Sequence, residues 1–318
     1  MRGATASRRH GTGPAPRPLE ALAGRLLAPA PADRLAVLRA LVCAFGALYL
    51  VGRFPHVVDS AALPAHRWDP VGVLRLFDAP PPAPLLIGVA SAGPLLGLAA
   101  ALGWRWRATG PAFALVALVL LTYVNSWGQV LHTEHLLVLH LLVLAAAPAA
   151  DAWAWPARPG PRPAPAGRYG FPVRLVTLLT VLTYLLAGWA KLRTSGWAWA
   201  GGEVLRHQVA HDNLRKAVLG SPWSPVGGAL VAYGWPWRPL ALATLLVELG
   251  APVVLVWRRL RPWWAGAAWG FHAGVLVVMA VFFPYPLSGV AFASLFPLEH
   301  GAARLRRVAR AARPGRPR

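Results

Sequence analysis

Apolar residues dominate eight stretches of the chain, at 35–52, 85–103, 111–131, 135–150, 175–191, 239–257, 263–283 and, more briefly, 287–298. A helix needs roughly 20 residues to cross a hydrocarbon layer, and about 17 suffice. Six of the runs reach the lower figure, 135–150 falls just short and 287–298 is clearly shorter. The pattern predicts an all-α, polytopic helical membrane protein with about eight transmembrane helices.

Between the runs the chain is polar in distinct ways. Residues 1–34 and 299–318 read as basic cytoplasmic tails, the first disordered because it is rich in Arg, Pro and Gly. The stretch 156–167 is proline-rich and reads as an extended inner linker. Two outer segments are long, 53–84 and 192–238. Within the second, residues 203–218 lack Pro and Gly and are compatible with a helix, although their apolar positions scatter around its wheel.

Charge then orients the spans. With the amino terminus inside and every run crossing, 23 Lys and Arg residues fall on the inner side and 9 on the outer side. This asymmetry places both termini in the cytoplasm and requires the short eighth run to cross, predicting a multi-pass protein of the cell membrane.

Composition agrees, with 56% hydrophobic and 14% charged residues, a mean hydropathy of +0.47 and 16 tryptophans, many at the ends of runs. The net charge of +21 does not point to nucleic acid, because the arginines gather in tails and short connections. Cys43 is the single cysteine, so no disulfide forms within the chain and redox chemistry needs a bound cofactor.

Ionisable groups inside spans need a partner, a cavity or a route to the surface. Arg39 and Arg174 lie close enough to the inner boundary to snorkel. Glu248, near the middle of the sixth run, reads either as a protonated acid bonded to a neighbouring helix or as a functional group. His140 and His272 read first as core histidines. Lys191 closes a run without charge since Leu175, in a chain with only two lysines, Lys191 and Lys216. An anchoring role suits any lysine at a helix end, but this chain uses arginine for its other membrane-side cations. Lysine differs in that its amine can lose a proton, as a general base must. His135 shares the outer depth of Lys191 in this topology.

The stretch YLLAGWAKL at 184–192, followed by GWAWAGG, resembles a motif of the HTTM (horizontally transferred transmembrane) family, bacterial relatives of the vitamin K-dependent gamma-glutamyl carboxylase. NSWGQVLHTEHLLVLHLLVLAAAPAADAW from Asn125 and FHAGVLVVMAVFF from Phe271 resemble two further segments, so the likeness runs from about 35 to 298. It implies that Lys191 matches the lysine that deprotonates vitamin K hydroquinone, His135 a histidine of that site, and His272 the histidine of the Phe-His helix. Asn125, Trp127 and Glu248 are candidates to contact the cofactor.

The implied chemistry uses a reduced naphthoquinone, O2 and CO2. A quinol anion reacts with O2 to give a strong base, which removes a glutamyl γ-proton before CO2 adds. The carboxylase carries a large domain after its membrane region, whereas this sequence ends 18 residues after His300. The resemblance therefore extends to the quinol chemistry and not to that domain. Expected partners are the lipid bilayer and a secreted peptide or protein substrate. Two other readings remain open: a non-enzymatic accessory protein that binds a secreted partner through 192–238, and a haem carrier using His140 and His272.

Overall fold

The computed structural model describes residues 24–128, 130–157, 160–301 and 303–304. Those residues form helices throughout, with no strand and one isolated bridge between Ala30 and Ala166. The long helices are α1 (Ala32–Ala61), α2 (Ala83–Leu102), α3 (Trp106–Val124), α4 (His135–Ala145) and α5 (Gly167–Ser195). After them come α6 (Glu203–Val218), α7 (Pro225–Val231), α8 (Trp237–Leu249) and α9 (Arg261–Met279). The last part of the sixth run adds a short turn, Val253–Val256, to the end of α8.

Among the described residues, five helical segments are long and apolar enough to cross a membrane: Ala32–Ala61, Ala83–Leu102, Trp106–Val124, Gly167–Ser195 and Trp237–Val256. Of the three remaining runs, the seventh forms α9, which ends at Met279, and the other two are much shorter as helices than as apolar sequence. In the fourth run only the 11 residues of α4 are helical, about 16 Å of axis. The eighth run forms no long helix. Between its end residues only Val290–Leu295 is helical, a single 3-10 turn that starts after Gly289 in the left-handed region and ends before Pro297. Conversely, α1 continues through Arg53 and Pro55 to Ala61, so the segment 53–84 begins as helix.

Helices α1 to α4 pack on the first half of α5 around Leu38, Val42, Phe113, Leu120, Leu137 and Leu144. Small residues set their spacing: a methyl group on Gly97 of α2 would lie 2.6 Å from the Phe113 ring and 2.9 Å from Cβ of Ala47. Only a residue without a side chain lets α1, α2 and α3 approach this closely. The second half of α5 packs with α8, α9 and the 290–295 turn around Tyr184, Val254, Trp264 and Phe292. α5 thus belongs to both halves.

Arg39 does not snorkel. It is 1% exposed, donates to the carbonyls of Ala149 and Ala101 at 3.0 Å each and lies over the Trp106 ring. The carbonyls belong to chain ends that lack helical partners, so the guanidinium closes the carboxyl-terminal ends of α2 and α4. Arg174 donates to the carbonyls of Leu26 and Ala28 and pins the entering chain in the same way.

Candidate functional site

The second half of α5 presents Tyr184, Ala187, Gly188 and Lys191 at helical spacing along one stripe. Opposite it, α8 presents Glu248. Lys191 Nζ donates to Glu248 Oε1 at 2.6 Å and to Oε2 at 2.8 Å. The lysine side chain is 22% exposed and the glutamate 3%. Gly188, one turn before Lys191, makes the contact reachable, since a methyl there would sit 2.9 Å from Cβ of Glu248. The indole of Trp199 lies 5.5 Å from Nζ on another side, which adds a cation–π contact.

A cavity of about 720 Å³ opens beside this pair. Its walls come from α5, α8, α9, the 132–136 turn and the inner face of α6, with mostly apolar side chains. Lys191, Glu248, His135 and His272 all line it. The shared depth expected for Lys191 and His135 therefore becomes a shared wall.

The two histidines are held differently. His135 Nδ1 lies 2.5 Å from the carbonyl oxygen of His132. A carbonyl only accepts, so Nδ1 carries the hydrogen and Nε2 of the neutral ring keeps its lone pair. His272 Nε2 is hydrogen-bonded to the Tyr184 hydroxyl at 2.7 Å, and the ring is packed by Phe271 and Phe283. Its Nδ1 is buried without a partner.

His140 is a satisfied core residue: it is fully buried, with Nδ1 2.7 Å from the Tyr285 hydroxyl and Nε2 3.2 Å from Thr180 Oγ1. Both ring nitrogens are therefore engaged, and His140 does not line the cavity that His272 borders. Nor do Asn125 and Trp127 line it. Asn125 closes the end of α3, donating to the Leu121 carbonyl and accepting from the Leu131 amide. Trp127 stacks edge-on with Trp68 and Tyr123 in a separate aromatic cluster.

The neighbouring acid Glu134 is buried between Tyr49 at 2.7 Å and Arg53 at 3.0 Å, both on α1. This clamp fixes the turn that carries His132 and His135. His132 lines the cavity too, and burial together with His135 and Lys191 holds its imidazole below the ordinary histidine range.

Sequence reading missed Tyr184, although its position seven residues before Lys191 places both on one helix face. It also passed over Lys216. Nζ of Lys216 lies 2.6 Å from the Met279 carbonyl and 2.7 Å from Asp212, so it caps the end of α9. Asn213 accepts from the Ser224 amide, and Ser224 donates to the Val277 carbonyl. These bonds tie α6 to α9 through Ser224, the residue that caps α7. Both lysines of the chain thus sit in ion pairs with a carboxylate.

The fold and this site define a helical membrane-protein class with a paired acid and base beside an apolar cavity. The family model of the HTTM domain matches residues 29–297, and the chain belongs to that family. No curated protein and no solved structure matches the chain.

Proposed function

We propose that this protein is an HTTM-family membrane enzyme that binds a reduced naphthoquinone in the cavity and takes a hydroxyl proton with the Lys191–Glu248 pair. The observation that carries this reading is the bidentate contact of Lys191 with a 3% exposed glutamate in the wall of an apolar cavity also lined by His135 and His272.

The residues suit such a ligand. A cavity of about 720 Å³ lies within the usual range for small-molecule sites, which are mostly apolar with a few polar groups. The unpartnered Nδ1 of His272 is a buried polar atom that a ligand oxygen would satisfy. When bound, the quinol would supply the reducing power for reaction with O2, the step that in the carboxylase precedes addition of CO2 to a glutamyl side chain.

The chain's own part is proton handling. In this reading a proton can pass from Nζ to the carboxylate within the Lys191–Glu248 pair. With that proton on Glu248, Nζ has a lone pair and accepts a proton from a hydroxyl brought against it. His135 offers a second lone pair at Nε2. Trp199 lies 5.5 Å from Nζ, and Leu205 and Val209 of α6 add apolar lining around the same cavity.

In this reading the protein is a multi-pass protein of the cell membrane with both termini inside and the cavity toward the outer side. A secreted peptide would meet it there. Purified protein given reduced naphthoquinone and O2 should form the epoxide, and full activity in Lys191→Ala would sink the proposed role.

Exposed tryptophans favour a second reading, a non-catalytic accessory protein that docks a secreted partner. Trp197 is 82% and Trp235 77% exposed in the outer segment, and neither lines the cavity. Photocrosslinkers at 197 and 235 that capture only lipid would eliminate that reading.

A further inference from the structure

Four arginines from separate parts of the chain converge at one end of the bundle. Arg34 stands in the first turn of α1, Arg174 in the first third of α5, Arg258 in the 3-10 turn Arg258–Leu260 that precedes α9, and Arg261 at the start of α9. The end of the eighth run gathers them. Thr177, one turn after Arg174, bonds the Ser294 hydroxyl at 3.0 Å, and the Leu295 carbonyl accepts from Arg261 at 3.5 Å. Glu299 takes both Nε and Nη2 of Arg34. Arg34, Arg174 and Arg258 all lie near enough to repel Arg261.

Charge at this place does not balance. Among the described residues Glu299 is the one carboxylate in an ion pair with any of the four, and Arg34 occupies it. Arg174 donates to the carbonyls of Leu26 and Ala28, and Arg261 to those of Val254 and Leu295. Carbonyls satisfy N–H groups but carry no net charge. Four guanidinium groups against one carboxylate leave three positive charges uncompensated, and the exposed Arg259 adds another.

The rim of the cluster is apolar and open. Trp257 is 59% and Trp263 77% exposed, on either side of Arg258 to Arg261, and Leu260 between them is 40% exposed. Indoles favour the depth at which lipid headgroups meet hydrocarbon. Arginine and tryptophan together at that depth face a headgroup and the first carbons of its chains.

We propose that this cluster binds an anionic phospholipid, its phosphodiester held by Arg174, Arg258 and Arg261 and its acyl chains laid against Trp257, Leu260 and Trp263. The planar fork of guanidinium gives paired hydrogen bonds to phosphate oxygens. The site is separate from the cavity, since Arg174 precedes Lys191 by 17 residues, about 26 Å along α5, and none of these residues lines the cavity. It rests on the bundle spanning a bilayer and not on the quinone.

Native mass spectrometry tests the site, with full-length protein released from micelles that hold equal amounts of dioleoyl phosphatidylglycerol and dioleoyl phosphatidylcholine. Wild type should retain one phosphatidylglycerol with about tenfold preference, since each cation near an anionic headgroup contributes roughly fivefold. Arg258→Gln with Arg259→Gln alters two exposed side chains and should abolish the preference, while the melting temperature in phosphatidylcholine stays unchanged. Arg105→Gln with Arg107→Gln removes the same charge from the connection after α2, whose end bonds Arg39 of α1. That variant should stay within about twofold of wild type.

Equal loss in the two double variants overturns the site, because the arginines would then act only as general membrane-side charge. A wild type without preference overturns it too. Wild type carries a further check that needs no variant: the preference should fall as ionic strength rises, and a salt-independent preference overturns the role of the guanidinium charge. Millimolar inorganic phosphate should leave the lipid bound. Displacement by phosphate alone overturns the lipid as the ligand, since acyl chains would then contribute nothing.

Discussion

Lys191 and Glu248 stand 57 positions apart in the chain and meet through two hydrogen bonds of 2.6 and 2.8 Å. Glu248 lies 11 residues, about 16 Å, along α8 from its start, so the lysine works well inside the helix bundle and not merely at its rim. A buried pair costs desolvation of both groups, and removing one partner strands the other.

That asymmetry gives the first prediction. Lys191→Ala should destabilise the protein by about 3–5 kcal/mol by leaving Glu248 unpaired, whereas Lys191→Ala with Glu248→Leu should recover most of the loss. Thermal unfolding in detergent measures the cycle. Lys191→Arg should keep much of the stability and lose the activity, because guanidinium does not release a proton. Additive losses in the double variant would mean that the pair is not coupled.

Gly188 sets the distance between α5 and α8. Gly188→Ala should cost about 1–3 kcal/mol through overpacking against Glu248 and Leu249. It should also lower proton-transfer activity more than Ala187→Gly does. Equal melting temperatures for Gly188→Ala and wild type would refute the close-approach argument.

Lys216 fastens α6 over the cavity. Burial alone would raise the carboxyl of Asp212, but Lys216 and Arg215 outweigh it and hold the group below the ordinary carboxylate range. Lys216→Met removes the cap on α9 and should speed amide hydrogen exchange across 203–218 by roughly tenfold or more, corresponding to about 1.4 kcal/mol of local opening. Exchange in α2, on the far side of the bundle, should not change.

His132 sets an acid limit. Its imidazole titrates below the ordinary histidine value in the fold, through burial, His135 and Lys191, with Glu134 opposing. The unfolded chain therefore binds the proton more readily. Its contribution to stability is complete above about pH 6.5 and falls as the pH drops from there toward the folded value. Between pH 7.5 and 5.5 the melting temperature of wild type should fall further than that of His132→Gln. Parallel curves would show that His132 is not responsible.

Much of the fold was legible in the sequence because membrane helices leave a strong local signal. Apolar length located α1, α2, α3, α5 and α8, and the lack of Pro and Gly located α6. The eighth run yields only a 3-10 turn because composition reports apolarity, while Gly289 in the left-handed region and Pro297 bound the stretch that can stay helical. Arg39 misled for a related reason: nearness to a boundary permits snorkelling, but two chain ends without hydrogen-bond partners offered it carbonyls inside.

For the site, the apolar pattern drew attention to Lys191 and Glu248 and the expected depth to His135, while the motifs carried the family and brought in His272. Sequence alone left Asn125 and Trp127 with no way to be told apart from them, since adjacency along a polar stretch says nothing about which wall a side chain faces. Only the tertiary structure decided that Lys191 pairs with Glu248, that Lys216 is a cap, and that Trp264 of α9 bonds the Val247 carbonyl of α8. Helix formation is written in neighbouring residues, whereas the crossing of α5 over α8 at Gly188 depends on residues some sixty positions apart.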